Sequence, residues 1–161
     1  MAALPRPPSR PNFLPMTIHL IKLCVGVDSV EDLLDYRKRA AARAQREGRA
    51  YEPGHTTRMT PKRRDEILDG GSLYWVIKGA IQARSPMVDI RPFTDTDGIG
   101  RCRLVFGPEL RRTRPQPRRA FQGWRYLKPE DAPPDLPGGE AGDLDQMPPE
   151  MRAELMELGL L

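Results

Sequence analysis

Between Leu73 and Arg84 the sequence reads LYWVIKGAIQAR. Read with a period of two, Tyr74, Lys78, Gln82 and Arg84 share one face, opposite Leu73, Trp75, Ile77, Ile81 and Ala83. A phenol, an amide and two cations in a row suit the oxygens of a phosphate or a nucleotide. Other groups of the same chemistry flank this stretch. Lys62, Arg63 and Arg64 open a helix, where cations oppose the dipole and a bound anion would relieve them; Asp65 and Glu66 are the plainer relief. Arg101 and Arg103 point outward from GRCRLVF. The segment ELRRTRPQPRRA carries Arg111, Arg112, Arg114, Arg118 and Arg119, and Pro115 and Pro117 keep it extended, as a phosphate-contacting arm or as a charged surface loop. In FQGWRYL, Gln122, Trp124 and Arg125 mix aromatic and cationic groups, the combination that stacks bases and grips a phosphate backbone. A large aromatic such as Trp124 more often fills a core, whereas Arg125 is expected at the surface. The anion-binding residues expected are therefore Lys62, Arg63, Tyr74, Lys78, Gln82, Arg84, Arg101, Arg103, Arg118, Arg119, Gln122, Trp124 and Arg125.

Other chemistries are less well served. A hydrolase needs a base or nucleophile near the cations, and Asp89, Asp95, Asp97, His55 and Tyr74 are the candidates, but none lies in a phosphate-binding loop, a nucleophile elbow or a zinc-protease motif. Cys24, Cys102, His19 and His55 are too widely spaced for a zinc site, and no cofactor or metal is expected. His19 reads as an imidazole satisfied at the edge of the core. Asp95-x-Asp97-Gly98 resembles the start of a calcium loop, without its later ligands, and reads as a turn.

The net charge of +4 conceals an asymmetry. Residues 1–128 hold 25 of the 26 Lys and Arg against 13 of the 22 acids, a net +12; residues 129–161 hold Arg152 and nine acids, a net −8. A basic body with an acidic tail points to a polyanionic partner, with the tail as a shield or a solubility aid. No apolar run approaches the roughly 20 residues of a membrane helix. The first sixteen residues hold five prolines and no apolar signal core, so 1–16 reads as a disordered leader, with either Met1 or Met16 as the start, and a cytoplasmic location is expected.

The positioning elements follow from the pattern. TIHLIKLCVGV (17–27) predicts a strand buried on both faces. Asp28 or Ser29 caps a helix running to about Glu47, where Gly48 stops it; its cations, Arg37 to Arg46, read as a solvated face. Residues 48–57 read as a loop, 58–60 as a short strand, and Thr60-Pro61 as the start of a helix ending at Gly70-Gly71. Leu73–Arg84 reads as one strand with a bulge, a bend or a close backbone approach at Gly79, broken by Ser85-Pro86. Val88–Pro92 and Gly100–Phe106 form a hairpin around Asp97-Gly98. Composition makes 17–128 a basic domain, 129–148 a Pro/Gly/Asp linker and 149–161 an acidic amphipathic helix.

The blocks TRMTPKRRDEILDGGSLYWVIKG, IQAR, DGIGRCRLVF and FQGWRYLKPEDAP, with the terminal MPPEMRAELMELGLL, resemble a bacterial family known only as domain of unknown function 1489. That resemblance covers nearly all of the chain from Met16 and implies no activity. At the level of fold, a helix opened by Pro61 and closed by Gly70-Gly71, then a strand ending in a cation, is similar to the start of ASCH domains of the PUA-like superfamily. It implies a small β-barrel that binds RNA or nucleotides, with Lys62, Lys78 and Arg84 lining its cleft. Residues 17–47 are additions to that pattern, and Tyr74-Trp75-Val76 replaces its expected Glu-Leu-Arg.

The expectation is thus an α+β protein, a small, mostly antiparallel curved sheet or PUA-like barrel with flanking helices. It would bind RNA, single-stranded nucleic acid or a nucleotide-like anion. The alternatives are a small enzyme acting on a phosphorylated or anionic small molecule, and an adaptor using its acidic C-terminal helix.

Overall fold

A computed structural model describes residues 17–140. In chain order the elements are β1 (His19–Leu23), α1 (Val30–Arg46), β2 (Gly54–Thr57), α2 (Arg64–Leu68), β3 (Ser72–Ile77), β4 (Ala80–Thr94), β5 (Gly100–Phe106), β6 (Arg111–Pro117), β7 (Trp124–Leu127), a 3-10 turn (Pro129–Asp131) and β8 (Asp135–Glu140). The eight strands form one mixed sheet with a main path β2-β5-β4-β3-β1-β7, while β6 pairs with β4 and β8. The single parallel pair among them is β1 with β3. The path does not close on itself, so the protein is α+β with a curved open sheet, and the barrel expected as an alternative is not formed.

Local sequence explains most elements. Ser29 caps α1 through its hydroxyl, which accepts from the Asp32 amide at 3.1 Å, and Glu31 and Asp32 sit in the favourable first turn. Val30 and Leu33 turn the apolar side of α1 onto a core that includes Leu20, Leu73, Trp75, Leu104 and Phe106. Two halves of β4 serve different partners: Ala80–Pro86 lies between β3 and β6, and Met87–Thr94 pairs with β5.

The stretch expected as one central strand is instead a hairpin. Lys78 and Gly79 have φ of 52° and 79°, a two-residue turn of the mirror-image kind that matches strand twist. Gly79 is therefore neither a bulge nor a bend within a strand. Nor do Ser85-Pro86 break β4. Pro86 is the last residue paired with β3, and its carbonyl then accepts from Gly107, so its missing N–H falls where the strand changes partners. Residues 54–57, expected within a loop, form β2 against β5, and 58–60 form no strand. The helix expected to open at Thr60-Pro61 begins only at Arg64 and lasts five residues. The arm expected at 109–120 is largely β6, and the supposed linker after 128 supplies β8. The expected leader (1–16) and acidic helix (149–161) lie outside the described residues.

Three hydrogen bonds fasten the β1–β3 seam and the turn that leads into it. The Ile18 amide donates to the Glu66 carbonyl at 3.2 Å and that of Gly71 to Ile67 at 2.8 Å, and a Cβ on Gly71 would meet the Ile18 and Ile67 carbonyl oxygens at 2.4 Å. His19 Nδ1 accepts from the Ser72 amide at 3.0 Å, so the ring is needed neutral. Burial, with a smaller push from Arg84, lowers its pKa to about 4.

Gly71→Ala is expected to destabilise the fold by more than about 2 kcal/mol, because backbone rather than a flexible side chain must move; chemical denaturation measures it. Lys78→Asn is expected to stabilise by up to about 1 kcal/mol, since Asn tolerates the left-handed turn position. In the unfolded chain His19 takes a proton near its ordinary 6.5, and in the fold only near 4. Its stabilising contribution is therefore complete above pH 6.5 and is lost as pH falls from there to about 4. Melting curves of wild type and His19→Asn are expected to diverge across that window, the variant showing the shallower pH dependence.

Candidate functional site

Four of the nine cations expected to meet one anion, Arg63, Arg84, Arg101 and Arg103, are held by the protein's own acids. Arg84 makes a two-pronged pair with Asp135, both contacts 2.8 Å, and a third bond of 2.8 Å to Ser72. Arg63 grips Glu66 in the same way at 2.7 and 2.8 Å. Arg101 bridges Asp95 and Asp97, and Arg103 bonds the carboxylate and carbonyl of Glu52. The wet face expected for the central strand is mostly dry. Tyr74 is buried and meets His19 edge-on, and burial raises its pKa. Gln82 is buried too, its amide donating to the Ile77 carbonyl at 2.7 Å. The reason is that this face is covered as well, since Tyr74, Val76 and Ile81 pack with Ile21 and Leu127 in a second apolar cluster, while β8 brings Asp135 onto Arg84.

The remaining expected residues fall into small groups. Tyr74 and Arg84 do come together, around a shallow cleft that also includes His19 and Asp135. Lys78 is exposed at the hairpin turn, next to Arg118, whose amide donates to the Gly79 carbonyl at 2.8 Å. Arg119 is exposed. Trp124 belongs to the core, its indole N–H donating to the Met59 carbonyl at 2.7 Å. Along β7, the amides of Lys62 and Arg63 both reach the Tyr126 hydroxyl, at 2.9 and 3.3 Å, and the Arg63 guanidinium lies 5.4 Å from that ring. Arg125 is exposed, lies 4.9 Å from the Phe121 ring and donates to the carbonyl of Gln122, itself exposed. Arg101 and Arg103, on β5, are separated from β7 by three strands of the sheet path.

The acids weighed as catalytic groups are occupied. Asp89 binds Arg64 and Arg91, and its pKa is lowered chiefly by the hydrogen bond from Arg91. Asp97 is lowered chiefly by the Ile99 amide. Among the described residues no group of three or more His, Cys, Asp or Glu could hold a metal ion, and no helix is long and apolar enough to cross a membrane.

The most distinctive group was read from sequence as part of a solvated helix face. Arg37, on α1, is 9% exposed. Its Nη2 donates to the Ser85 hydroxyl at 2.7 Å, and Ser85 also accepts the Trp75 indole N–H at 3.1 Å. The guanidinium lies 5.5 Å from the centre of the Phe106 ring. Among the described residues no carboxylate pairs with it, and its Nη1 has no hydrogen-bond partner. Burial lowers its pKa, yet a guanidinium stays charged at neutral pH. The other deeply buried arginine, Arg112, is paired with Glu31.

Arg37 lines a cavity of about 380 Å3 with Trp75, Phe106, Tyr51, His55 and Leu33, and the Cys24–Val27 turn forms part of the same wall. Burial, then Lys22 and Arg103, lowers the pKa of His55, and burial pushes the Cys24 thiol up to about 11. Both are therefore neutral at pH 7, and among the described residues on the wall the guanidinium is the one full charge. The only legible signal for it was position: Arg37 lies three and four residues from Leu34 and Leu33, on the side of α1 that faces the sheet.

No curated protein and no solved structure matches the chain. A family model does, over residues 20–161, and the chain belongs to that family, DUF1489, a family of proteins of unknown function.

Proposed function

We propose that this protein is a binding module for a nucleotide-like anion, seated at Arg37. The observation that carries the reading is a buried guanidinium, its Nη1 without a hydrogen-bond partner among the described residues, on a side chain that lines a 380 Å3 cavity. Burying an ion costs several kcal/mol unless a counter-charge or full hydrogen bonding offsets it. One hydroxyl and one ring leave that offset incomplete here. A ligand carboxylate or phosphate would complete it, through a charge-assisted bond worth roughly 1.5–3 kcal/mol. The acids on Arg63, Arg84, Arg101 and Arg103 favour this compact site over a long polyanion track.

A second reading, single-stranded RNA laid along β7, is favoured by one observation: Lys62, Arg63 and Arg125 flank that edge strand beside the Tyr126 and Phe121 rings. An enzyme acting on an anionic small molecule would need a base in the cavity, where His55 is the available group.

Arg37→Met separates the first two. Without ligand the variant is expected to melt at or above the wild-type temperature, because an apolar side chain of similar length replaces an incompletely solvated charge. At matched ionic strength its affinity for adenosine 5′-monophosphate is expected to fall by about 10-fold or more, read by calorimetry. Unchanged affinity removes Arg37 as the seat. RNA binding that weakens steeply with salt, is insensitive to Arg37→Met and is lost in Lys62→Gln/Arg125→Gln would favour the β7 edge instead.

A further inference from the structure

On α1, Leu34, Arg37, Lys38 and Ala41 stand at spacings of three, four and seven, so they form one stripe along the helix. That stripe lines a second cavity, of about 310 Å3, completed by Tyr51, Pro108 and Leu110. Arg37 and Tyr51 belong to the walls of both cavities. The two hollows therefore share a partition, and the partition carries the incompletely bonded guanidinium.

Their walls differ in character. The first presents rings: Trp75 stands edge-on to Phe106 at 5.6 Å and to His55 at 6.3 Å, so faces and edges are offered at right angles. The second presents the exposed cation Lys38 beside Arg37. No Asp or Glu is among the described residues lining either one. An anion placed at the partition meets two positive groups and no like charge, and an aromatic group attached to it has a ring-lined cavity on one side.

We infer that the two cavities form one bipartite site for a flat-ringed ligand carrying an anionic group, the ring seated among Trp75, Phe106 and His55 and the anion between Arg37 and Lys38. This deepens the anion-binding reading and rests on it. The shared chemistry is a planar aromatic body joined to a phosphate or carboxylate. A nucleoside monophosphate and a simple aromatic carboxylate are its two sources. The cavity volumes lie at the lower end of the range for small-molecule sites, which fits a ligand of this size and not an oligonucleotide. Ring and anion contribute separately, because base stacking on aromatic side chains is worth about 1–3 kcal/mol in its own right.

The test titrates the full chain with adenosine 5′-monophosphate, ribose 5-phosphate, adenosine and benzoate at fixed ionic strength, by calorimetry and by following the two indole N–H resonances. Adenosine 5′-monophosphate or benzoate is expected to bind at least about 10-fold more tightly than ribose 5-phosphate, and which of the two is tighter identifies the source. The Trp75 indole resonance is expected to move with the ringed anions and to stay put with ribose 5-phosphate, while that of Trp124, bonded to Met59 in the core, stays put throughout. Lys38→Gln, at an exposed position that folding does not need, is expected to weaken both phosphates several-fold and to leave adenosine unchanged. Equal binding of ringed and ringless anions with an unmoved Trp75 overturns the bipartite site and leaves an anion site at Arg37. Adenosine binding as tightly as its monophosphate, or no binding by any of the four, overturns both.

Discussion

A charge taken out of water must be answered by something, and in this protein Arg37 is answered by a hydroxyl and a ring rather than by a carboxylate. Ser85 is the hinge of that arrangement: its oxygen accepts from Arg37 on α1 and from Trp75 on β3, at 2.7 and 3.1 Å, while Ser85 itself belongs to β4. One oxygen thus joins the helix to both arms of the central hairpin. The same tie sets the Trp75 ring against Phe106 and His55, and it leaves the cavity beside them lined by rings and one cation. An all-apolar packing would have been cheaper for the fold alone. The unpaired Nη1 is the kind of incomplete satisfaction that stable cores avoid and binding sites retain.

The surface follows the opposite rule. Glu52, Asp89, Asp95, Asp97, Glu109 and Asp135 each sit on one or two arginines. Pairs this exposed contribute little to stability. Their consequence lies in the field: they divide a basic body into short dipolar contacts, so its net charge overstates how strongly any one patch attracts a polyanion. Among the described residues, Lys78 at the hairpin turn, Arg125 on β7 and Lys38 on α1 are exposed cations outside these pairs. Arg84 is the clearest case, because the acid that neutralises it comes from 51 residues further on, in a segment whose own composition is acidic and rich in proline.

The shape that makes both outcomes possible depends on β4. Its first half is a middle strand and its second half belongs to the β5 hairpin, and the exchange occurs at Ser85-Pro86-Met87. A proline is tolerated there because a ladder bond is dropped there. Phe106, at the end of β5, lies 5.5 Å from the Arg37 guanidinium on α1, and Trp75 on β3 shares the Ser85 hydroxyl with it.

The local signals were legible from the sequence alone. The Ser29 cap and Gly48 stop delimit α1 to within a residue or two, the Asp97-Gly98 turn closes the β4–β5 hairpin, and the alternation in GRCRLVF gives a strand with Cys102 and Leu104 buried. These depend on neighbours a few positions away, so a linear reading reaches them. Lys78-Gly79 was missed because lysine seldom adopts the left-handed turn conformation, and only the pairing of Val76 with Ile81 demands it. The fate of each arginine was decided by tertiary structure. Arg37 and Arg43 look alike in the sequence of α1, yet one is buried beneath the sheet and the other is exposed. Which charge is sealed from water, and which acid reaches which guanidinium, are set by contacts across tens of residues, and hydrophobic periodicity carries no record of those.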